Sequence, residues 1–559
     1  MMKSPFEWLK EQSKKFSENI FLIDSDREIT YAENFQRIES VMAYFKDIEP
    51  GTKIVFFGNG SVESYQLYYA VIATQGIWIP VSYQEDYYEA LNPLLEKIKP
   101  NVIIYENSLR YIIDKLNIAY RILALDDIFD SLDNEEVIDN DIYNHTDDRV
   151  ISYYLTSGST NLPKIVQHGW YATIQHAMAT TARYPFTPGS RLFNPRHIFH
   201  VTGAFPLTTI MHSGGSIIIP DADSYKKNEE KCMFDWAEII QKKKVTHISF
   251  FPGEMRQYAQ LIDEHPEMRA PTLQRITTGG EALELSDLIK IARALTIYKR
   301  TYDYLWQTYP YLNSVGFYLL KKLYEQFNGA LVQIAQTYGA TELTCNAVAN
   351  DFETGPDPRG IGSALQSLHA QITDEEGHIL PKDGRHIGRL EFFGNSIAHG
   401  YLAIEESDLS RYRYQDLSLY HYKTSDLASI YPNGNVTLFG RVENLIKLGG
   451  DNVNPVLFER SIKNLCKVDA AIIFEHQSKL HVAVKLELTR ERSKIILALK
   501  RNPAFSMITT ISFWNDFPRT LGGKTDKNGL IQQIKTGQYE SVDINLVPIP
   551  RQNSYCSIC

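Results

Sequence analysis

The chain has 559 residues, too many for one compact core, so a large domain plus at least one smaller one is expected. Apolar residues make up 43% and charged residues 22%, which excludes a disordered, collagen-like or coiled-coil architecture. With 57 Lys and Arg against 67 Asp and Glu the formal net charge is −10, which gives no reason to coat nucleic acid and still allows a local basic phosphate pocket.

The opening segment, MMKSPFEWLKEQSKKF, reads as an amphipathic helix and lacks the continuous apolar stretch of a secretory signal. No apolar run approaches the length of a transmembrane segment. Buried strands are expected at Lys53–Phe57, Val102–Tyr105, Ser216–Pro220 and Val245–Phe251. Helices are expected between them, for example Glu63–Thr74 and Lys231–Lys243, where Met233, Trp236, Ala237 and Ile240 recur at helical spacing. This alternation is the α/β signature. Between Arg385 and Gly400 the pattern turns to hairpins, and Asn433-Gly434 marks a turn between two apolar runs. The expected organisation is a large N-terminal α/β domain over 1–440, with several subdomains whose sheets are flanked by helices and one that is β-rich. A small α+β domain over 441–545 and an irregular tail over 546–559 follow. Cys232, Cys345, Cys466, Cys556 and Cys559 are too scattered for a disulfide scaffold, so a reducing, cytoplasmic setting is expected, and no Cys/His group has zinc spacing.

The most informative segment is Tyr153-Tyr-Leu-Thr-Ser-Gly-Ser-Thr-Asn-Leu-Pro-Lys-Ile-Val166. A strand delivers the chain into a loop of small hydroxyl residues, Thr156, Ser157, Ser159 and Thr160. Gly158 permits close approach of a ligand and Lys164 supplies charge. A Walker loop is excluded because no Gly-Lys-Ser/Thr occurs. Composition alone leaves a solvated Ser/Thr-rich turn as the alternative.

The loop resembles that of the adenylate-forming superfamily, which includes acyl- and aryl-CoA ligases and the adenylation domains of peptide synthetases. Its usual form is Thr-Ser-Gly-(Ser/Thr)-Thr-Gly-x-Pro-Lys-Gly; Asn161 and Ile165 replace two glycines here. The resemblance continues in order along nearly the whole chain. Its other members are Glu28–Tyr31, Gly76–Pro80, His197–Gly203, Thr277–Ala282, Tyr338–Glu342, Gly388–Gly394 with Gly400-Tyr401, Thr424–Asp426, Gly440-Arg441, Lys447–Gly450 and Phe517–Lys524.

That resemblance implies ATP, Mg²⁺ and CoA (or the phosphopantetheine of a carrier protein) as reactants and cofactors, and a small-molecule carboxylic acid as substrate. It assigns Lys524 to bridge the acid and the α-phosphate, Thr341 to bond that phosphate, and Glu342 to hold Mg²⁺. Asp426 and Arg441 fall to the ribose, and Tyr338 and Gly339 to adenine with Gly279, Gly280, Glu281 and Ala282 on the other side. His200 borders the acid. Glu443 marks a hinge about which the small domain is mobile, and Lys447, Gly449 and Gly450 admit the thiol. Each residue has a plainer alternative: a core His for His200, a helix-start carboxylate for Glu342, an Asx-turn for Asp426, a core aromatic for Tyr338 and a β-turn for the Gly pair.

Around 297–320 the chain is longer than the resemblance requires and rich in aromatics, including Tyr302, Tyr304, Trp306, Tyr309, Tyr311, Phe317 and Tyr318. A tunnel wall, a lid, a partner site or plain helical packing all fit, and the flanking Lys299, Arg300, Lys321 and Lys322 add peripheral membrane contact through 297–322 as a weaker option. The terminal Cys556-Ser-Ile-Cys559 matches a prenylation outline only loosely. The expected activity is an ATP-dependent carboxylic acid–CoA ligase for a fatty or aryl acid. Its alternatives are a ligase loading a carrier protein in trans, with no carrier module expected after residue 540, and a nucleotide-binding pseudoenzyme.

Overall fold

The computed structural model describes residues 3–82, 88–116, 120–132, 148–156, 163–220, 229–280, 291, 294, 332–350, 360–404, 409–414, 417–448, 451–468, 470–476, 479–486, 492–518, 526–539 and 541–544. The first helix, Pro5–Lys15, starts as its sequence dictates. Ser4 accepts from the Glu7 N–H and Glu7 reaches back to the Ser4 N–H, a reciprocal cap contributing about 1 kcal/mol. Its apolar face buries Phe6, Trp8 and Leu9, with Trp8 edge-on to Trp170. A second reciprocal cap, Thr30 with Glu33, opens the helix Tyr31–Tyr44 and explains the early Thr-Tyr pair. The Tyr31 hydroxyl then donates to the Gly215 carbonyl at 2.8 Å.

Among the described residues, two mainly parallel sheets carry the large domain. One has nine strands, in the order Ser363–Ala364, Cys345–Ala349, Gln333–Ala340, Arg275–Gly279, His247–Phe250, Arg191–Phe193, Ser216–Ile218, Ile20–Ile23, Glu28–Thr30. The other has seven, in the order Gly400–Tyr401, Ile165–Gly169, Val150–Leu155, Ile77–Pro80, Lys53–Phe57, Val102–Tyr105, Arg121–Ala124. In the seven-stranded sheet the central strands Lys53–Phe57 and Ile77–Pro80 are almost wholly apolar and buried, as expected of strands covered on both faces. The helix Val62–Ala73 is buried at every position except Glu63, as expected of a helix apolar all round. It belongs to a core that draws Ile54, Phe56 and Trp78 from one sheet and Leu192 and Ile217 from the other.

A third sheet is wholly antiparallel: Leu368–Thr373, Gly388–Gly394, Leu417–Ile430 and Leu409–Tyr414 in order, with Val436–Arg441 paired to Leu417–Ile430. The stretch of successive antiparallel strands in this sheet therefore begins at Leu368, earlier than the sequence pattern suggests. The run Leu368, Ala370, Ile372 alternates over only six residues, too few to stand out by periodicity. The turn at Asn433-Gly434 is present, with the Gly434 N–H donating to the Tyr431 carbonyl at 2.9 Å.

Beyond Arg441, the strands Ala470–His476, Lys479–Lys485, Ile508–Trp514 and Ser541–Asp543 form a mixed sheet. With the helices Pro455–Cys466, Arg492–Arg501 and Lys527–Lys535 it makes a small α+β unit. That unit has its own core around Ile462, Ile473, Val482, Val484 and Ile511. Among the described residues no helix is long and apolar enough to cross a membrane. The aromatic stretch 297–320 and the terminal cysteines lie outside the described residues.

Candidate active site

The phosphate-loop segment is the tip of a hairpin. Val150–Leu155 leads out to Thr156 and Ile165–Gly169 leads back, antiparallel. The base is closed twice: the Thr156 N–H donates to the Lys164 carbonyl at 3.0 Å, and the Lys164 N–H donates to Thr156 Oγ1 at 3.2 Å. Ser157, Gly158, Ser159 and Thr160, at the tip, lie outside the described residues.

Lys164 does not act alone. Its ammonium lies 4.9 Å from the centroid of the Tyr401 ring, a cation–π contact of about 0.5–2 kcal/mol. Tyr401 stands there because Gly400–Tyr401 adds to the hairpin edge, with Tyr401 opposite Val166. The Tyr401 hydroxyl donates to Glu342 Oε1 at 2.6 Å. Glu342 is buried, and its carbonyl accepts the Ala398 N–H at 2.9 Å. A cation on the phosphate hairpin and a buried carboxylate thus meet at one phenol, the first at its ring and the second at its hydroxyl. The second Glu342 oxygen makes no hydrogen bond among the described residues. A carboxyl group with one oxygen oriented and the other open suits a hard cation such as Mg²⁺. Tyr401 was legible only as part of a Gly-Tyr pair, and its contact with Glu342 is new.

Thr341 opens the short 3-10 turn Thr341–Leu343, beside Glu342. The backbone is tight here. A Cβ on Gly339 would sit 1.5 Å from the Cys345 carbonyl, so only glycine fits. Thr344 and Cys345 then take positive φ, 52° and 87°, to reverse the chain. Two buried histidines hold this turn. His176 Nε2 accepts the Asn346 N–H at 3.2 Å, and His168 Nδ1 lies 3.5 Å from Thr344 Oγ1. Burial pushes both imidazoles down to about 3, so both stay neutral. Nothing in the sequence singles these two out, since each is a lone His on an apolar run.

The residues that the resemblance assigns to the nucleoside converge across two sheets. The Tyr338 hydroxyl donates to Asp426 Oδ2 at 2.7 Å, and the Tyr338 ring stacks on Phe392 with centroids 6.2 Å apart. Asp426 sits directly opposite Arg441 in the antiparallel pair, with Arg441 Nε 3.7 Å from Asp426 Oδ1. Desolvation raises the Asp426 carboxyl above the usual range, while the Tyr338 hydrogen bond and Arg441 oppose that rise. Desolvation and the adjoining carboxylate push the Tyr338 phenol well up, so it remains a donor. Arg441 also reaches Glu443, 3.5 Å away, and both are exposed. An oriented carboxylate beside a guanidinium can accept from a vicinal diol.

The residue that the resemblance places beside the acid, His200, lies past the C-terminal ends of parallel strands, where open α/β sheets collect ligands. His200 caps the helix Val201–Ser213 and is exposed, yet the protein around it, with the Arg196 charge, pushes its imidazole down to about 4. Arg196 pairs with Glu254, and its guanidinium lies 4.0 Å from the Phe251 ring centroid. Gly280, at φ 86°, faces the same Phe251 ring. Arg196, Glu254 and Phe251 were not legible as site residues, because nothing local marks the meeting of two loops 58 residues apart.

Glu281 and Ala282, Gly449 and Gly450, and Lys524 lie outside the described residues; Lys447 lies on the short strand Ile446–Leu448.

Comparison with known proteins agrees with this geometry. Residues 9–402 match the AMP-binding enzyme family. A plipastatin synthase polypeptide of Bacillus subtilis (strain 168) is 22% identical over 539 residues, 93% of this chain and 13% of that protein, so the chain spans a small part of this relative. Zwittermicin A synthase ZmaJ of Bacillus cereus is 22% identical over 545 residues, 93% of each chain. The crystal structure of ATP-bound MatB from Rhodopseudomonas palustris superposes with a TM-score of 0.72 at 20% identity, over 95% of this chain and 99% of that one, which carries the fold. This chain belongs to the AMP-binding enzyme family.

Proposed function

We propose that this enzyme is an ATP-dependent carboxylic acid–thiol ligase, most simply an acid–CoA ligase for a fatty or aryl acid. A carboxylate oxygen attacks the α-phosphorus, the bond to the β-phosphate breaks, and pyrophosphate leaves. A thiol sulfur then attacks the acyl carbon and AMP departs. The physical problem is the approach of an anion to a polyanion. The observation that carries the reading is the convergence of Lys164 and Glu342 on Tyr401, beside the Tyr338–Asp426–Arg441 set.

In this reading Lys164 and the hydroxyl loop Thr156–Thr160 hold phosphate oxygens, and Thr341 bonds the α-phosphate. Glu342 would hold Mg²⁺, which neutralises phosphate charge when bound. Asp426 accepts from the ribose hydroxyls, and Tyr338 keeps that carboxylate oriented. Gly280, Glu281 and Ala282 border adenine. Lys524 supplies the cation between acid and α-phosphate. Glu443 is the hinge about which the unit beyond Arg441 turns, and Lys447, Gly449 and Gly450 line the thiol path.

A carrier protein in place of CoA is the second reading. It is favoured by the match to ZmaJ, which this chain parallels over 93% of both lengths. The test is acid-dependent pyrophosphate release from Mg-ATP across fatty, aryl and amino acids, with and without CoA. Lys524→Ala is the control. Release with particular acids, lost in the variant, supports adenylation, and thioester in the CoA arm selects CoA over a carrier. Silence with every acid while ATP still binds selects a nucleotide-binding pseudoenzyme.

A further inference from the structure

The strands Arg191–Phe193 and His247–Phe250 run parallel and in register, Leu192 opposite His247 and Phe193 opposite Ile248. The loops leaving their C-terminal ends therefore emerge side by side. One carries Arg196; the other is the single residue Phe251, which leads into the helix Pro252–Glu264 with Glu254 in its first turn. Glu254 Oε2 accepts from Arg196 Nη2 and, at 2.8 Å, from the Phe251 N–H at the start of the helix Pro252–Glu264. The Arg196 side chain is only 9% exposed. Glu254 balances its charge but not its donors: Arg196 Nε is buried and has no hydrogen-bond partner among the described residues. A guanidinium offers five N–H donors, and one left without an acceptor in the interior is costly.

The group above that guanidinium is Phe251, which is 40% exposed. Such a ring can turn aside and uncover the cation. The ring also faces Gly280, assigned above to the adenine side, and Arg196 lies four residues before His200, assigned to the acid, so the uncovered space adjoins the acid where it meets the nucleotide. A saturated hydrocarbon seated there would bury Arg196 further and give it nothing to bond. An acid with an oxygen at its far end would satisfy the donor.

We propose that Arg196 determines acid specificity, by donating to an oxygen acceptor on the body of the acid remote from the reacting carboxylate. The acceptor is a hydroxyl, a carbonyl or a second carboxylate. Glu254 is the positioning residue that holds the guanidinium in place. This rests on the acid-activating reading above.

The test uses the full chain and compares pyrophosphate release for matched acids: benzoate with 3-hydroxybenzoate, and hexanoate with adipate. The oxygenated member of at least one pair should be favoured about 100-fold in kcat/KM. Arg196→Lys keeps the charge but removes the Nε donor, and should bring that ratio close to one. Glu254→Gln should reduce it less. The ratio, unlike total activity, is insensitive to a general loss of folded enzyme. Preference for benzoate and hexanoate, or a ratio unmoved by Arg196→Lys, overturns the proposal and leaves adenylation standing. Silence with all four acids and the wider panel overturns adenylation itself, and this proposal with it.

Discussion

The two ends of the site are built differently. At the proposed nucleotide end the polar groups are already paired with one another: Tyr338 with Asp426, Asp426 with Arg441, Tyr401 with Glu342 and Lys164 against the Tyr401 ring. At the proposed acid end a buried guanidinium is charge-balanced by Glu254 yet keeps an unmatched donor among the described residues, under an exposed Phe251 ring. A constant ligand permits a site pre-set by its own cross-contacts, which lowers the reorganisation needed on binding. A variable ligand calls for groups completed only by the right partner.

The comparison is broken most severely at Glu342. Glu342→Ala removes the buried carboxylate on which the nucleotide end converges. It should lower Mg-ATP-dependent pyrophosphate release about 10³-fold with every acid alike. A loss confined to some acids would mean that Glu342 belongs to the acid end. Tyr401→Phe is the milder break. It deletes one hydrogen bond to a buried carboxyl, at a cost of about 1–3 kcal/mol, and keeps the ring under Lys164. The expected cost is about 10- to 100-fold in kcat/KM for Mg-ATP. An unchanged value would show that Glu342 needs no orienting partner.

Legibility in the sequence follows the same division. The apolar runs at Lys53–Phe57 and Val102–Tyr105, the helical spacing through Met233–Ile240 and the Asn433-Gly434 turn each reflect local stereochemistry, and each appears where the pattern puts it. The motif segments at Lys164, Tyr338–Glu342, Asp426 and Arg441 were likewise legible, and the fold gathers them. Pairings between segments were not. Tyr401 meets Glu342 across 59 positions and His176 meets Asn346 across 170, and no short-range pattern encodes which strand ends become neighbours. Arg196 was hidden for a further reason: its partner Glu254 looks, in sequence, like an ordinary first-turn helix carboxylate.

Beneath the nucleotide end, the pairing extends to His176 and His168, and pH sharpens the contrast. An unfolded imidazole takes up a proton near pH 6.5, whereas these two resist until about pH 3. Between those limits the unfolded chain binds more protons, so stability rises with pH and is lost as pH falls. Each histidine adds about 1.4 kcal/mol per pH unit to that slope. His176→Gln offers a neutral acceptor to the Asn346 N–H without the titration. Denaturant unfolding between pH 7 and 5 should therefore show a slope shallower than the parent's, by a difference that grows toward that amount as pH drops below 6.5. An identical slope would mean that His176 takes up its proton in the folded chain.

The smallest expected effect lies at Tyr338. Tyr338→Phe keeps the ring on Phe392 and removes only the donor to Asp426. That hydrogen bond is one of two influences holding the carboxyl down against desolvation, so its loss raises the Asp426 pKa further. The ribose hydroxyls donate to the carboxylate and not to its protonated form. KM for ATP should rise a few-fold at pH 8, on the scale of one neutral hydrogen bond of about 1 kcal/mol. It should rise more steeply than in the parent enzyme as pH falls toward 5. Acid selectivity should stay fixed, because the acid end is built on other strands and another cation. A change in acid preference would instead show the two ends to be coupled through the strand Gln333–Ala340, which borders the strand Arg275–Gly279 leading to Gly280.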